Sequence, residues 1–356
     1  MNQTISHNSD FLFLYEASGC NPNGDPDQEN KPRMDYDTKT NLVTDVRLKR
    51  YLRDHLKEQG HDIFVDMLGD AKVSMESKMI HEIDRVLQEE ATVQAIFADA
   101  PALLERYEQT LASRKPDEKI SDALKRAFAS TKSGDKGKGK EKASPADKEK
   151  ALELNIHILT YLVQQQFIDI RLFGSAFAVK GFTRSFTGPV QINWGHSLHP
   201  VELMESNSLV TIMNDDNSTF GKDYRVHYSL LAFHGTINQH QARRTGMTAE
   251  DRDTFRAAIW DAIPTQLSRS KQNQYPCLYL ELVYAPGKHN GQLGDLRQYI
   301  QTSPVAGKTE KQIRSLADLD LDFSQLQEHI DRLREEGILQ EVILKKAPAL
   351  AINLQG

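Results

Sequence analysis

Five cations fall on one predicted helical face: Arg47, Lys49, Arg50, Arg53 and Lys57. Leu48, Leu52, His55 and Leu56 recur at i, i+4, i+7 and i+8 on the opposite arc. Only Asp45, Asp54 and Glu58 dilute the positive charge. A stripe of this kind suits a row of phosphates, although an isolated helix of the same pattern is commonly just a solvated face. The loop ahead of it carries Asn21, Pro22, Asn23, Gly24, Asp25 and Pro26, residues that make tight turns. A buried strand, a polar loop and a basic helix in this order suggest a surface for a polyanion.

Other candidate chemistry is weaker. Asp25, Asp27 and Glu29 alternate as in a calcium loop, but the sixth position is Asn30 and the twelfth Tyr36, where that loop needs Gly and Glu. Gly134, Gly139 and Lys140 approach a phosphate loop, but Glu141 follows in place of Ser or Thr and no strand precedes. His196 and His199 stand at HxxH spacing without a third ligand and read as ordinary polar residues. Asp215, Asp216 and Asp223 could hold magnesium beside an exposed phosphate, and otherwise serve as solvated turn formers. Tyr224, Tyr228 and Phe233 could stack on bases; on a strand they favour the core. No metal or cofactor is expected.

These residues need elements to position them. The chain has 356 residues, 39% hydrophobic, enough for a substantial core. Its net charge of −6 means that nucleic-acid binding must rest on a local basic face. Cys20 and Cys277 form no CxxC pair, which suits a reducing cytoplasm rather than a disulfide framework. No apolar run approaches a membrane span. The pattern predicts a strand over 10–18, a helix from Asp45 to Gln59, and helical segments near 76–90, 92–112 and 118–129. Residues 131–150 hold seven lysines, four acids and almost nothing apolar, the composition of a disordered tether. A helix over 151–168, strands over 188–194, 224–233 and 276–284, and a capping box at Thr248–Asp251 follow. A charged helix over 322–336 and a short apolar tail, 338–354, end the chain.

Without its insertions the order is strand, helix, strand, strand, helix, strand, the ferredoxin-like or RRM arrangement. Such sheets recognise single-stranded RNA, but the usual aromatic signature on the central strands is missing. RNA is therefore expected over the basic helix and the first loop.

Several stretches occur in a telling order: NPNGDP at 21–26, PR at 32–33, TDVRLKR at 44–50, DIRLFG at 169–174, GPVQI at 188–192, YRVHYSLLAFHGTIN at 224–238 and ARRTGMT at 242–248. The set resembles the backbone subunit of CRISPR Cascade complexes, the seventh-numbered Cas family of the RAMP superfamily, in its type I-B and I-C branches. The resemblance covers roughly half the chain. It implies an α+β, RRM-like palm (10–60 and 165–290) and a helical fingers insertion (62–164). It also implies a projecting thumb hairpin (197–223), with 291–356 as a C-terminal extension. Copies would form a helical filament along a guide crRNA and present it to target DNA, together with other Cascade subunits and without catalysis. Sequence would be read by base pairing while the protein holds the backbone. Carried over by position, Lys49 and Arg50 are the leading phosphate ligands, with Arg47 and Arg53 behind them. Asn21, Asn23 and Arg33 fall in the matching loop. Lys180 and Arg184 add backbone contacts, and Met213 or Phe220 is the thumb's apolar wedge. The alternative is a metal-dependent ribonuclease of the related type III backbone class.

Overall fold

A computed structural model describes residues 3–68, 72, 74–99, 101, 156–179, 182–205, 208–209 and 221–355. The expected tether at 131–150, Lys180, Met213 and Phe220 lie outside the described residues. The chain divides into two compact units, 1–61 with 188–356, and 62–187.

The first unit is built on one antiparallel sheet, so the expectation of a mixed α+β architecture is met. Its strands are β1 (Ser9–Ser18), β2 (Met34–Asp35), β3 (Thr40–Val43), β4 (Val190–Ile192), β5 (Gly195–Ser197), β6 (Tyr228–Ile237), β7 (Gln274–Tyr284) and β8 (Leu339–Lys346). Across the sheet they run β8-β7-β1-β6-β5-β3-β2, with β4 also on β6. β1 pairs along its whole length with β6 and from Ser9 to Ala17 with β7. Because side chains alternate between faces, the run FLFLY serves two cores at once. Phe11, Phe13 and Tyr15 face the side covered by α1 (Asp45–Glu58) and α2 (Ala249–Asp261). Phe11 packs edge-on against Phe255 of α2, and Tyr15 stacks on Phe233. Leu12 and Leu14 face a second core with Leu230, Ala232, Leu278 and Leu280. That core is closed by Leu293, Leu296 and the buried face of α3 (Ser324–Glu335), namely Leu326, Ile330 and Leu333. Gly235 permits the close pairing of β6: a Cβ there would come within 2.2 Å of the Phe11 ring.

Several boundaries differ from the sequence expectation. Of the predicted strand over 188–194 only Val190–Ile192 forms, as β4; a second short strand, β5, follows beyond it. β6 begins at Tyr228 rather than at 224, because the backbone of 225–227 bonds Met204, Cys20 and Glu202 instead of joining the ladder with β1. Residues 291–356 are no separate extension: they fill the second core, and the apolar tail contributes the edge strand β8, paired with β7.

The second unit has its own core. Met79, Val86, Val93, Phe97, Ile158, Leu162 and Phe186 come from helices Met75–Val86, Glu90–Asp99 and 156–165, and from the hairpin Gly174–Val179/Phe182–Thr187, and Phe167 from the start of the helix Ile168–Phe173. Residues 165–187, expected in the palm, pack here instead, since Phe167, Ile170 and Phe186 complete this core. Asp169 of the DIRLFG stretch is fully buried and accepts the amides of Phe64 and Val65 at 2.9 and 3.1 Å. Among the described residues, no helix is long and apolar enough to cross a membrane.

Glu281 of β7 makes the first unit sensitive to one substitution. Its carboxylate is fully buried and accepts from Ser9 Oγ (2.6 Å), Tyr279 Oη (2.7 Å), and Arg256 Nε and Nη2 (2.7 and 2.9 Å). Arg256→Met leaves a buried charge without its counter-ion, which costs about 3–5 kcal/mol. Urea unfolding of the variant should show this loss. Adding Glu281→Leu should restore most of it, since a well-packed apolar replacement for a buried pair is commonly near neutral.

Candidate nucleic-acid interface

The basic helix forms as its sequence dictates. Thr44 caps it, accepting the Arg47 amide at 3.2 Å, and Asp45 stands in the first turn, where the helix dipole favours an acid. Leu48, Tyr51, Leu52, His55 and Leu56 are buried, so the arc bearing Arg50, Arg53 and Lys57 is left outward, with Lys49 more covered beside it. Those cations are compensated locally. Lys49 Nζ meets Asp45 at 3.0 Å, and Arg50 Nε meets Asp54 at 3.0 Å, both at i,i+4. Arg53 and Lys57 also have partners. The Arg50–Asp54 pair is partly exposed, and an i,i+4 pair of that kind contributes only about 0.3–0.5 kcal/mol, so a phosphate can compete for Arg50, whereas the Lys49–Asp45 pair is more covered. Arg47 differs: its guanidinium lies over the Tyr51 ring, 5.7 Å from the centroid, and meets no acid within ion-pair distance among the described residues.

The NPNGDP loop is packed from within. Asn21 and Asn23 are buried. Asn21 Nδ2 donates to the Asn30 carbonyl at 2.8 Å. Asn23 Oδ1 accepts from the Thr44 amide and hydroxyl at 2.9 and 3.0 Å. Both side chains are thus spent on shaping the loop and seating the helix cap, rather than presented outward. A Cβ at Gly24 would lie 1.9 Å from Asn30 Oδ1, so a larger residue there requires the exposed Asn30 side chain to shift. Asn30 itself is in the left-handed region, φ 59°, which Asn tolerates. Arg33 is half-buried; its guanidinium pairs with Asp25 at 3.3 Å, and its carbonyl accepts from Asn41 Nδ2 and the Leu42 amide. Asp25 is therefore committed inside the loop.

Three cations that the sequence pattern does not single out sit against this loop: Arg225, Arg269 and Lys271. Asp223 Oδ2 accepts from Arg225 Nη2 at 2.7 Å and Arg269 Nη2 at 3.1 Å. Burial opposes ionisation of Asp223, but the two guanidiniums outweigh it and hold its carboxyl below the ordinary value. The loop Pro264–Asn273 is closed onto the Gly19–Asn21 turn, with the Asn21 amide donating to the Ser270 carbonyl at 2.8 Å and Lys271 Nζ donating to the Asn21 carbonyl. A register shift opposite Leu14/Tyr15 re-aims the start of β7, and Gln274 Nε2 returns to the Lys271 carbonyl at 2.6 Å. The only signal in the sequence is the RSK run at 269–271, too short to stand out.

Other predicted residues fall as follows. Arg184 lies in the strand Phe182–Thr187 of the second unit, with its backbone opposite Phe177. The flanks of 197–223 form an antiparallel neck, Ser208–Leu209 against Gly221–Lys222, with a further bridge between Leu203 and Val226. The tip, with Met213, Asp215, Asp216 and Phe220, is outside the described residues. Tyr228 and Phe233 are core, whereas the Tyr224 hydroxyl donates to Glu29 at 2.8 Å and Lys31 lies over its ring. His199 is tied at both nitrogens: Nδ1 donates to the Pro200 carbonyl, and Nε2 accepts the Leu230 amide. Burial pushes its pKa down.

Comparison with known proteins identifies the class first: these are CRISPR-associated proteins. A family model described as CRISPR-associated protein Cas7 matches residues 7–324, and the chain belongs to that family. It is 27% identical over 345 residues to the CRISPR-associated protein Cas7 of Haloferax volcanii, covering 93% of this chain and 85% of that one. Two solved structures are similar at 15% identity. One is a CRISPR RNA-guided surveillance complex (TM-score 0.49), the other such a complex before nicking (TM-score 0.47). Each match covers 97% of this chain and 93% of the other.

Asn23 offers a direct probe of how the loop holds the helix. Asn23→Ala removes both bonds to Thr44 and frees the cap that starts α1. Loss of a partner at a buried polar group costs roughly 1–3 kcal/mol. Thermal unfolding should register that loss, and Asn23→Asp, which keeps the accepting oxygen, should recover part of it.

Proposed function

We propose that this chain is the backbone subunit of a Cascade-type surveillance complex. Several copies bind one guide crRNA as a helical filament and hold it for pairing with target DNA, alongside other Cascade subunits in the cytoplasm. The carrying observation is the polar loop 19–33 seated on the cap of a basic helix, with Arg225, Arg269 and Lys271 against the same loop. The strand order fits the RRM-like palm: counting β1, β4/β5, β6 and β7 as the four core strands gives 4-1-3-2 across the sheet. Both faces of that sheet are covered, one by α1 and α2 and the other by α3 and the segment around Leu293–Leu296. The guide is thereby directed to the loops and the basic helix. In this reading 62–187 are the fingers, and the neck at 208–222 is the base of the thumb.

The subunit is read as non-catalytic. Asp223, the one described acid among the three ribonuclease candidates, is committed to Arg225 and Arg269. A nuclease would need such an acid available to a metal ion.

Two measurements test the reading. Mass photometry across single-stranded RNAs of increasing length should show mass rising in steps, because head-to-tail contacts do not close. Shortening the hairpin between Ser206 and Ser218 should abolish the steps and spare binding of one subunit. A closed dimer of constant mass at every length would overturn the filament. Separately, Lys49→Ala with Arg50→Ala should weaken binding to every RNA sequence alike. It should also reduce the slope of log K against log salt by roughly 0.7 for each phosphate no longer neutralised.

A further inference from the structure

We infer that Arg47 and Lys271 act together as a clamp for a single phosphodiester of the bound RNA, at the mouth of the Gly19–Asn21 turn. This rests on the guide-binding reading above.

Charge balance singles out these two residues. Most described cations near the loop have an acid: Lys49 has Asp45, Arg50 has Asp54, Arg33 has Asp25, and Arg225 and Arg269 share Asp223. Arg47 and Lys271 have none within ion-pair distance among the described residues. Tyr51 and Gln274 join them: Arg47 lies over the Tyr51 ring, the Tyr51 hydroxyl accepts from Gln274 Nε2 at 3.4 Å, and the same amide donates to the Lys271 carbonyl at 2.6 Å, so that the Arg47 charge is felt at the Lys271 ammonium. Two like charges set side by side without a counter-ion are destabilising unless an anion joins them. The nearby carboxylate that could serve, Asp223, is already engaged by two guanidiniums.

Both cations are held in place. Arg47 is the third residue of α1, fixed by the Thr44 cap and laid over the Tyr51 ring. Lys271 sits in a turn closed by its own amide on the Ser268 carbonyl (2.9 Å), by Gln274 on its carbonyl, and by its ammonium on Asn21. Arg225 braces the same turn, donating to the Gly19 carbonyl at 2.9 Å and the Arg269 carbonyl at 3.2 Å. An anion here would also meet the positive end of the α1 dipole. A phosphodiester fits better than a carboxylate side chain, because its two unesterified oxygens can accept from the guanidinium and the ammonium at once.

The site carries its own reporter. Burial, with the Arg47 charge second, brings the Lys271 ammonium down to about 8. The groups around it are Arg47 on α1, Cys20 after β1, Asp223 and Arg225 ahead of β6, and Arg269 on its own loop. Burial pushes both the Cys20 thiol and the Tyr51 phenol up to about 12, so neither titrates in the same range. A phosphate favours the charged ammonium, so RNA binding should take up a proton above about pH 8, and affinity should fall as pH rises further.

The test uses the full chain and an oligoadenylate RNA, whose bases do not titrate above neutrality. Binding is measured by fluorescence anisotropy from about pH 7 to about pH 9.5, at several salt concentrations. Wild-type affinity should decline above about pH 8, by up to tenfold per pH unit for one linked proton. Lys271→Arg should keep the affinity at neutral pH and remove the decline. Lys271→Gln should lose roughly tenfold at neutral pH, flatten the profile and reduce the salt slope by roughly 0.7. Arg47→Gln should reduce the salt slope equally and leave a pH profile set by Lys271 alone. The clamp is overturned if Lys271→Gln and Lys271→Arg both bind with the wild-type pH profile and salt slope; the guide-binding reading would survive that result. If the wild-type chain binds no RNA under any condition, the guide-binding reading fails and takes the clamp with it.

Discussion

The main-chain pairing of β1 with β6 on one side and β7 on the other is the constraint on which the first unit depends. Ten residues of β1 pair with β6 and nine of them also pair with β7, with one register shift there, and nearly all of their side chains are buried. A slip of one residue would move Phe11, Phe13 and Tyr15 into the core built for Leu12 and Leu14. Where β1 ends, Ser18, Gly19 and Asn21 are therefore delivered to a fixed point. The loop that follows can be irregular because its origin is not.

From that point the polar groups form a chain of consequences. Asn21 bonds Asn30 and shapes the loop; Asn23 bonds Thr44; Thr44 caps α1; α1 carries Arg47. On the far side β6 and β7 bring residues near 225 and 270 to the same place, although they are about two hundred positions or more from Gly19 in the sequence. The cations at this rim are thus set by three neighbouring strands and one helix, not by any local segment.

This explains what the sequence disclosed. β1 is an uninterrupted apolar run, α1 has a clean amphipathic arc, and α2 opens with a capping box whose two bonds are both present, so each could be read in isolation. The NPNGDP motif marks a structured loop, but residue type alone does not separate an amide that touches a ligand from one that holds a turn; only burial of Asn21 and Asn23 does. Arg225, Arg269 and Lys271 were missed because their grouping is a product of strand order. β8 was missed because Leu339–Lys346 mixes charged residues with Val342, Ile343 and Leu344. As an edge strand it needs an apolar partner on one face alone, so its pattern is diluted. The early start assigned to β6 has the same kind of cause. Arg225 reads as a strand residue, but its carbonyl accepts from Met204, outside the ladder with β1.

A sheet buried on both faces leaves recognition to its rim. A face can display a two-dimensional pattern of contacts and so distinguish one sequence from another. A rim offers a short line of groups, and here that line is made of cations and backbone turns rather than of stacking aromatics. A molecule that meets a polymer along such a line registers that a segment is present, not what it spells. In the filament proposed above such a unit, repeated along a strand, would measure it, and the number of copies, rather than any one interface, would carry the information about length.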